Sequence, residues 1–139
     1  MKSNYIFQSI IIGLISMVLF SFSWASERES SLVLQATPKH PGASGTAVID
    51  KDHISVQARG LKPDAVYTVW FVNMKPKKSE AGAGTAPFMF RTDKWGDGQY
   101  SAPLMASPFG KWSMLMVVLH PSGNPKDMHH MVGALKAPL

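Results

Sequence analysis

Thr46-Ala47-Val48-Ile49-Asp50-Lys51-Asp52-His53-Ile54-Ser55-Val56-Gln57-Ala58-Arg59 is two short extended runs joined by a polar turn. In the second run Ile54, Val56 and Ala58 alternate with Ser55, Gln57 and Arg59, the period of two that puts apolar side chains on one face of a strand. Asp50-Lys51-Asp52 has the residues of a tight turn, so the stretch predicts a β-hairpin with one buried face.

The same grammar extends in both directions. Upstream, Ser31 to Thr37 is a further run, closed by Pro38 and separated from the hairpin by Pro41-Gly42-Ala43-Ser44-Gly45. Downstream, Gly60-Leu61-Lys62-Pro63-Asp64 makes a turn into Val66-Tyr67-Thr68-Val69-Trp70-Phe71-Val72. That run is apolar on both faces, which predicts a central, doubly covered strand with Trp70 in the core. Lys75 to Ala86 reads as a loop, Pro87 to Thr92 as a strand, Asp93 to Gly98 as a turn using glycine at positive φ, and Gln99 to Leu104 as the returning partner. Lys111 to His120 is again apolar on both faces, Pro121 to Met131 is irregular, and Val132-Gly133-Ala134-Leu135 forms a last edge strand.

No stretch of the mature chain sustains a helical period. About seven or eight strands at roughly 10-residue spacing, with turn signals between them, predict an all-β fold: a single Ig-like or Greek-key β-sandwich.

The N-terminus sets the compartment. Lys2 precedes an uncharged apolar stretch from Tyr5 to Trp24, Ser23 and Ala25 place small residues at the −3 and −1 positions, and Glu27, Arg28 and Glu29 follow. The stretch is long enough to span a bilayer as an anchor, but the small pair ahead of a polar break is the mark of signal-peptidase cleavage. The expected organisation is a signal peptide over residues 1–25 and a sandwich domain over 26–139, exported to the periplasm or beyond and without a stable membrane span after cleavage. With no cysteine in the chain, a lipoprotein anchor, disulfides and thiolate chemistry are excluded.

The formal charge of +5 includes Lys2, and the remaining basic residues are scattered. There is no basic stripe interleaved with aromatics, which argues against nucleic acid as a partner. Lys75, Lys77 and Lys78 form the one cluster, a solvated loop or a contact surface for an anionic partner.

The pattern Gly60-Leu61-Lys62-Pro63, then Tyr67-Thr68-Val69-Trp70-Phe71-Val72, an Asp97-Gly98 turn and Val118-Leu119-His120-Pro121-Ser122-Gly123-Asn124-Pro125 resembles the extracytoplasmic domain of anti-sigma-K factors over about two thirds of the mature chain. In that family a Leu-Pro…Tyr-x-x-Trp strand and a late Glu-Pro-x-Gly element sit in a small β-sandwich. No segment like the family's cytoplasmic sigma-binding part precedes the hydrophobic stretch here. What the resemblance implies is therefore architecture rather than control of transcription.

Catalytic signatures are lacking. Ser44 lies in a turn rather than in a Gly-x-Ser-x-Gly elbow, and Gly82-Ala83-Gly84 lacks the Lys-Ser/Thr ending of a phosphate cradle. A metal site is the stronger candidate, because Met128-His129-His130-Met131 concentrates imidazole and thioether in a chain of five histidines and nine methionines. Those ligands suit copper, above all Cu(I), and imidazole also suits zinc. His120 joins them from the preceding strand, where Met114, Met116, Val118 and His120 share one face. The alternative is that the methionines fill core gaps and the histidines lie at the surface. A blue-copper centre needs a cysteine thiolate, and the His-x-His pair of a copper-zinc dismutase is missing.

His40 and His53 read as exposed. Trp112 falls in an apolar run and reads as core, whereas Trp95, in the turn Lys94-Trp95-Gly96, is a candidate contact residue. The function these observations predict is a non-catalytic exported binding domain whose partner is an envelope protein or a surface ligand, with a copper or zinc binder as the alternative and a small exported enzyme as the second.

Overall fold

The described residues form nine strands: β1 (Ser30–Ala36), β2 (Ser44–Ile49), β3 (His53–Arg59), β4 (Val66–Asn73), β5 (Ser79–Gly82), β6 (Met89–Arg91), β7 (Gly98–Pro103), β8 (Met114–His120) and β9 (Val132–Pro138). The computed structural model describes residues 29–139, so the expected signal peptide lies outside the described residues. No helix occurs among the described residues, and every ladder is antiparallel.

The β2–β3 hairpin forms as its alternation dictates. Ile49 pairs with Ile54, Ala47 with Val56 and Gly45 with Ala58, so one pleat carries the apolar set inward. The Asp52 N–H donates to Asp50 Oδ1 at 3.0 Å, closing the turn. From there one continuous sheet runs β5-β4-β8-β9-β1-β2-β3-β7, with β6 beside β5 along the same side of β4. Right-handed twist curls so wide a sheet on itself, and β6 touches β7 at the far end of the path. The inner faces then oppose each other as in a sandwich. Leu34, Ala47, Ile54, Val56 and Tyr100 meet Tyr67, Val69, Phe71, Leu115, Val117 and Leu135 across the core.

Two strands differ from expectation. β5 lies inside the segment read as a loop, because Ser79-Glu80-Ala81-Gly82 has no apolar alternation and is extended only by pairing with Trp70 to Asn73. β9 is central rather than an edge: it lies between β8 and β1 and runs on to Pro138. Its inward residues Ala134, Leu135 and Ala137 are fully covered, but small alanines give a weak strand signal. A bulge between Val117 and Val118 adjusts its register.

The corner before β4 fixes that strand. The Lys62 N–H donates to the Tyr67 phenol oxygen at 2.9 Å, a tyrosine-corner arrangement, and burial pushes the Tyr67 pKa up. The Tyr67 ring stacks on Phe90 at 5.6 Å. Gly96, at φ +80, lies against the Leu61 carbonyl where a Cβ would collide, and its own carbonyl accepts the Leu61 N–H at 3.0 Å. Only glycine lets the 93–97 turn close on this corner.

Candidate functional site

β4 and β8 lie side by side with apolar residues on both faces. The inner faces fill the core. On the outer face β4 presents Val66, Thr68, Trp70 and Val72 opposite His120, Val118, Met116 and Met114 of β8. Trp70 therefore stands outside the core to which the sequence assigned it, partly buried on the reverse of the sheet. Trp112 lies just before β8, packed against the core.

A buried polar relay orients the indole. The Trp70 Nε1–H donates to Thr68 Oγ1 at 2.7 Å, and Thr68 Oγ1 lies 2.6 Å from His120 Nε2. His120 Nδ1 is 3.1 Å from the Asp127 backbone oxygen. A carbonyl only accepts, so Nδ1 carries the imidazole proton, Nε2 accepts from the Thr68 hydroxyl, and the hydroxyl oxygen receives the indole N–H. Thr68 and His120 are 0% and 2% exposed. The chain of donors leaves neither imidazole nitrogen free, and it ties β4 and β8 to the 121–131 loop.

Trp70 divides two apolar grooves. One, of about 240 Å³, is lined by Trp70, Met74, Met116, Val118, Met131 and Gly133 among others, with Lys78 and Glu80 also on its wall. The other, of about 310 Å³, lies between Trp70, Pro87, Phe88, Pro125 and Met128. The Phe88 ring, 5.4 Å from that of Trp70, occupies the space a Cβ would take at Gly82. Gly82 is the β5 residue paired with Trp70, so glycine there admits the second aromatic wall.

The structure distributes the candidate metal ligands over this region without gathering them. Met131 lies in the first groove and Met128 in the second. His129 and His130 are exposed in the loop. The Asp127 carboxylate holds that loop: Oδ1 accepts the His129 N–H at 3.1 Å, and Oδ2 lies 3.0 Å from His130 Nδ1. These contacts hold the Asp127 pKa below the usual carboxylate range, the His130 hydrogen bond most of all. Among the described residues no three His, Asp or Glu side chains stand close enough to hold a metal ion.

The candidate contact residues fall on different parts of the surface. Trp95 is 70% exposed with the Lys94 ammonium 4.4 Å above its ring, in the turn beyond β6. Lys75, Lys77 and Lys78 are exposed beyond the other end of β4, and of the three Lys78 alone lines either groove beside Trp70.

Two histidines are less exposed than expected. His40 Nε2 is 3.1 Å from the Tyr67 hydroxyl, its Nδ1 is buried without a partner among the described residues, and burial lowers its pKa. His53 is partly buried, its Nε2 3.0 Å from Ser101 Oγ. That serine-histidine pair lies across the outer surface of β3 and β7 and lines neither groove beside Trp70. A wider polar cleft of about 580 Å³, lined by Arg59, Arg91, Asp93 and Asp97 among others, carries two cations and two anions.

Met114 and Met116 share a face with His120 as their spacing predicts, and Trp70 and Met74 belong to the same surface without any sequence signal that singles them out. The available signal was apolar alternation on both faces of two strands, one more apolar face than a single core uses. No known family, curated protein or solved structure matches the chain.

Proposed function

We propose that this chain is a non-catalytic binding domain exported to the cell envelope, and that its working surface is the outer face of β4 and β8 around Trp70. One observation carries the reading: an indole, oriented through a buried relay, stands between two apolar grooves. Binding sites are concave, mostly apolar, largely preformed and marked by a few placed polar groups. The exposed thioethers of Met74 and Met128, 56% and 39% accessible, give the rim the adaptable chemistry of binding surfaces.

The N-terminal apolar segment supports export, and the resemblance to the anti-sigma-K extracytoplasmic domain agrees with an envelope sandwich without adding an activity. The reading without catalysis rests on chemistry that is not assembled: His120 is spent in the relay, and Ser101 and His53 meet on an open strand surface.

An anilinonaphthalene dye, fluorescent in apolar sites, tests the surface. Bound to the folded full chain it should lose most of its emission on Trp70→Ala and keep it on Trp95→Ala. Emission unchanged by Trp70→Ala would place the working face elsewhere.

A further inference from the structure

We propose that the groove between Trp70 and β9 is a binding site for a soft monovalent metal ion, Cu(I) or its redox-inert analogue Ag(I), held by the thioether sulfurs of Met74, Met116 and Met131 beneath the Trp70 ring. The inference rests on the reading of the Trp70 face as the working surface.

Three methionines from three parts of the chain line one groove of about 240 Å³. Met116 is the direct cross-strand partner of Trp70. Met74 follows Trp70 and Val72 at the strand period, beyond the end of β4. Met131 enters from the loop before β9, two residues ahead of Gly133. A Cβ at Gly133 would lie 3.2 Å from the Met116 methyl, so the Met116 side chain already reaches across β9 toward Met131.

The ligand chemistry selects the ion. Thioethers are soft, neutral donors that favour Cu(I), whereas zinc takes thiolate, imidazole or carboxylate. Among the described residues the harder ligands are not grouped in threes. Lys78 and Glu80 on the groove wall offset each other in charge. A single positive charge enters an apolar groove at a lower desolvation cost than a double one, and the indole face adds cation–π attraction. The Trp70 N–H is engaged by Thr68, which keeps the ring in place before the ion arrives.

The site differs from one built on His129 and His130 in a measurable way. Thioethers have no proton to release near neutrality, while imidazole ligands are lost as pH falls through about 6.5. Titration of the full chain with Ag(I), and with Cu(I) against a chromogenic chelator, should give one equivalent bound with quenching of tryptophan emission. The affinity should be unchanged between about pH 5.5 and 7.5.

Met74→Leu, Met116→Leu and Met131→Leu together keep apolar volume and should weaken binding by at least about 100-fold. His129→Ala with His130→Ala should stay within about threefold. Trp70→Phe should abolish most of the quench while the ion still binds. Undiminished binding by the triple leucine variant overturns the proposal, as does affinity that falls with pH and with the histidine variants. Dye emission separates the two failures: silver ignored while the dye still depends on Trp70 removes the metal alone, whereas dye insensitive to Trp70 removes the face itself.

Discussion

The two faces of β4 share one backbone and follow different physics. Inward, Tyr67, Val69 and Phe71 are closed off by a second layer and meet close-packed neighbours. Outward, Thr68 and Trp70 are fixed by hydrogen bonds to their own sheet and to one loop, and the remaining apolar surface opens into grooves. The inner face is specified by shape and the outer one by connectivity. A strand that reads as uniformly hydrophobic thus carries the stability of the domain on one side and, on the other, the face proposed here for binding.

Truncating adjacent residues that point opposite ways tests this contrast most strongly. Phe71, 5% exposed, should cost about 3–5 kcal/mol as Phe71→Ala. Trp70→Ala should cost less, about 2–3 kcal/mol despite the larger side chain, because part of the indole is never buried. Denaturant midpoints of the two variants at a common slope measure both, and a larger loss at Trp70 would return that residue to the core.

Thr68→Val sharpens the comparison with a near-isosteric change. It removes only the hydroxyl, orphaning the buried His120 Nε2 and the Trp70 N–H, and should cost about 1–3 kcal/mol. Imidazole nitrogen chemical shifts should report His120 protonated on Nδ1 in the native protein. An Nε2-protonated ring would reverse the direction of the relay.

The smallest effect comes from the inner side, where the Tyr67 hydroxyl accepts from Lys62 and faces His40. Burial lowers the His40 pKa, so below the ordinary imidazole value of about 6.5 the unfolded chain binds a proton that the folded chain refuses. Stability contributed by neutral His40 is therefore complete above that pH, falls as pH drops below it, and levels off beneath the folded-state value. His40→Gln should flatten this part of the profile in denaturant midpoints taken from about pH 7.5 to 5.5. An identical slope in the variant would assign the effect to other histidines.

Much of the fold was legible because alternation is a local signal. The β2–β3 hairpin, β4 and the division of β8 into a face with Leu115, Val117 and Leu119 and a face with Met114, Met116, Val118 and His120 follow from residue order alone. β9 was legible as a strand but not as a central one, since its place depends on a partner almost 100 residues away: the Thr37 hydroxyl donates to the Gly133 carbonyl across a separation of 96 residues. The site was legible only in part. Met131 and His120 attract notice by type, but the role of Trp70 depends on which side of the sheet the core occupies, and a run apolar on both faces is silent about that. Asp127 shows the same limit, because its backbone carbonyl rather than its carboxylate engages His120.

The position of β9 also constrains the order of events as the chain folds. This strand joins β1 to β8, the first and the eighth of the described strands, and it follows both in chain order. Until it emerges, the two halves of the sheet have no shared ladder, and forming one requires closing a loop of nearly the whole domain. However much of the remaining sheet has paired, its two halves thus stay unsealed until Val132–Pro138 takes its place between them.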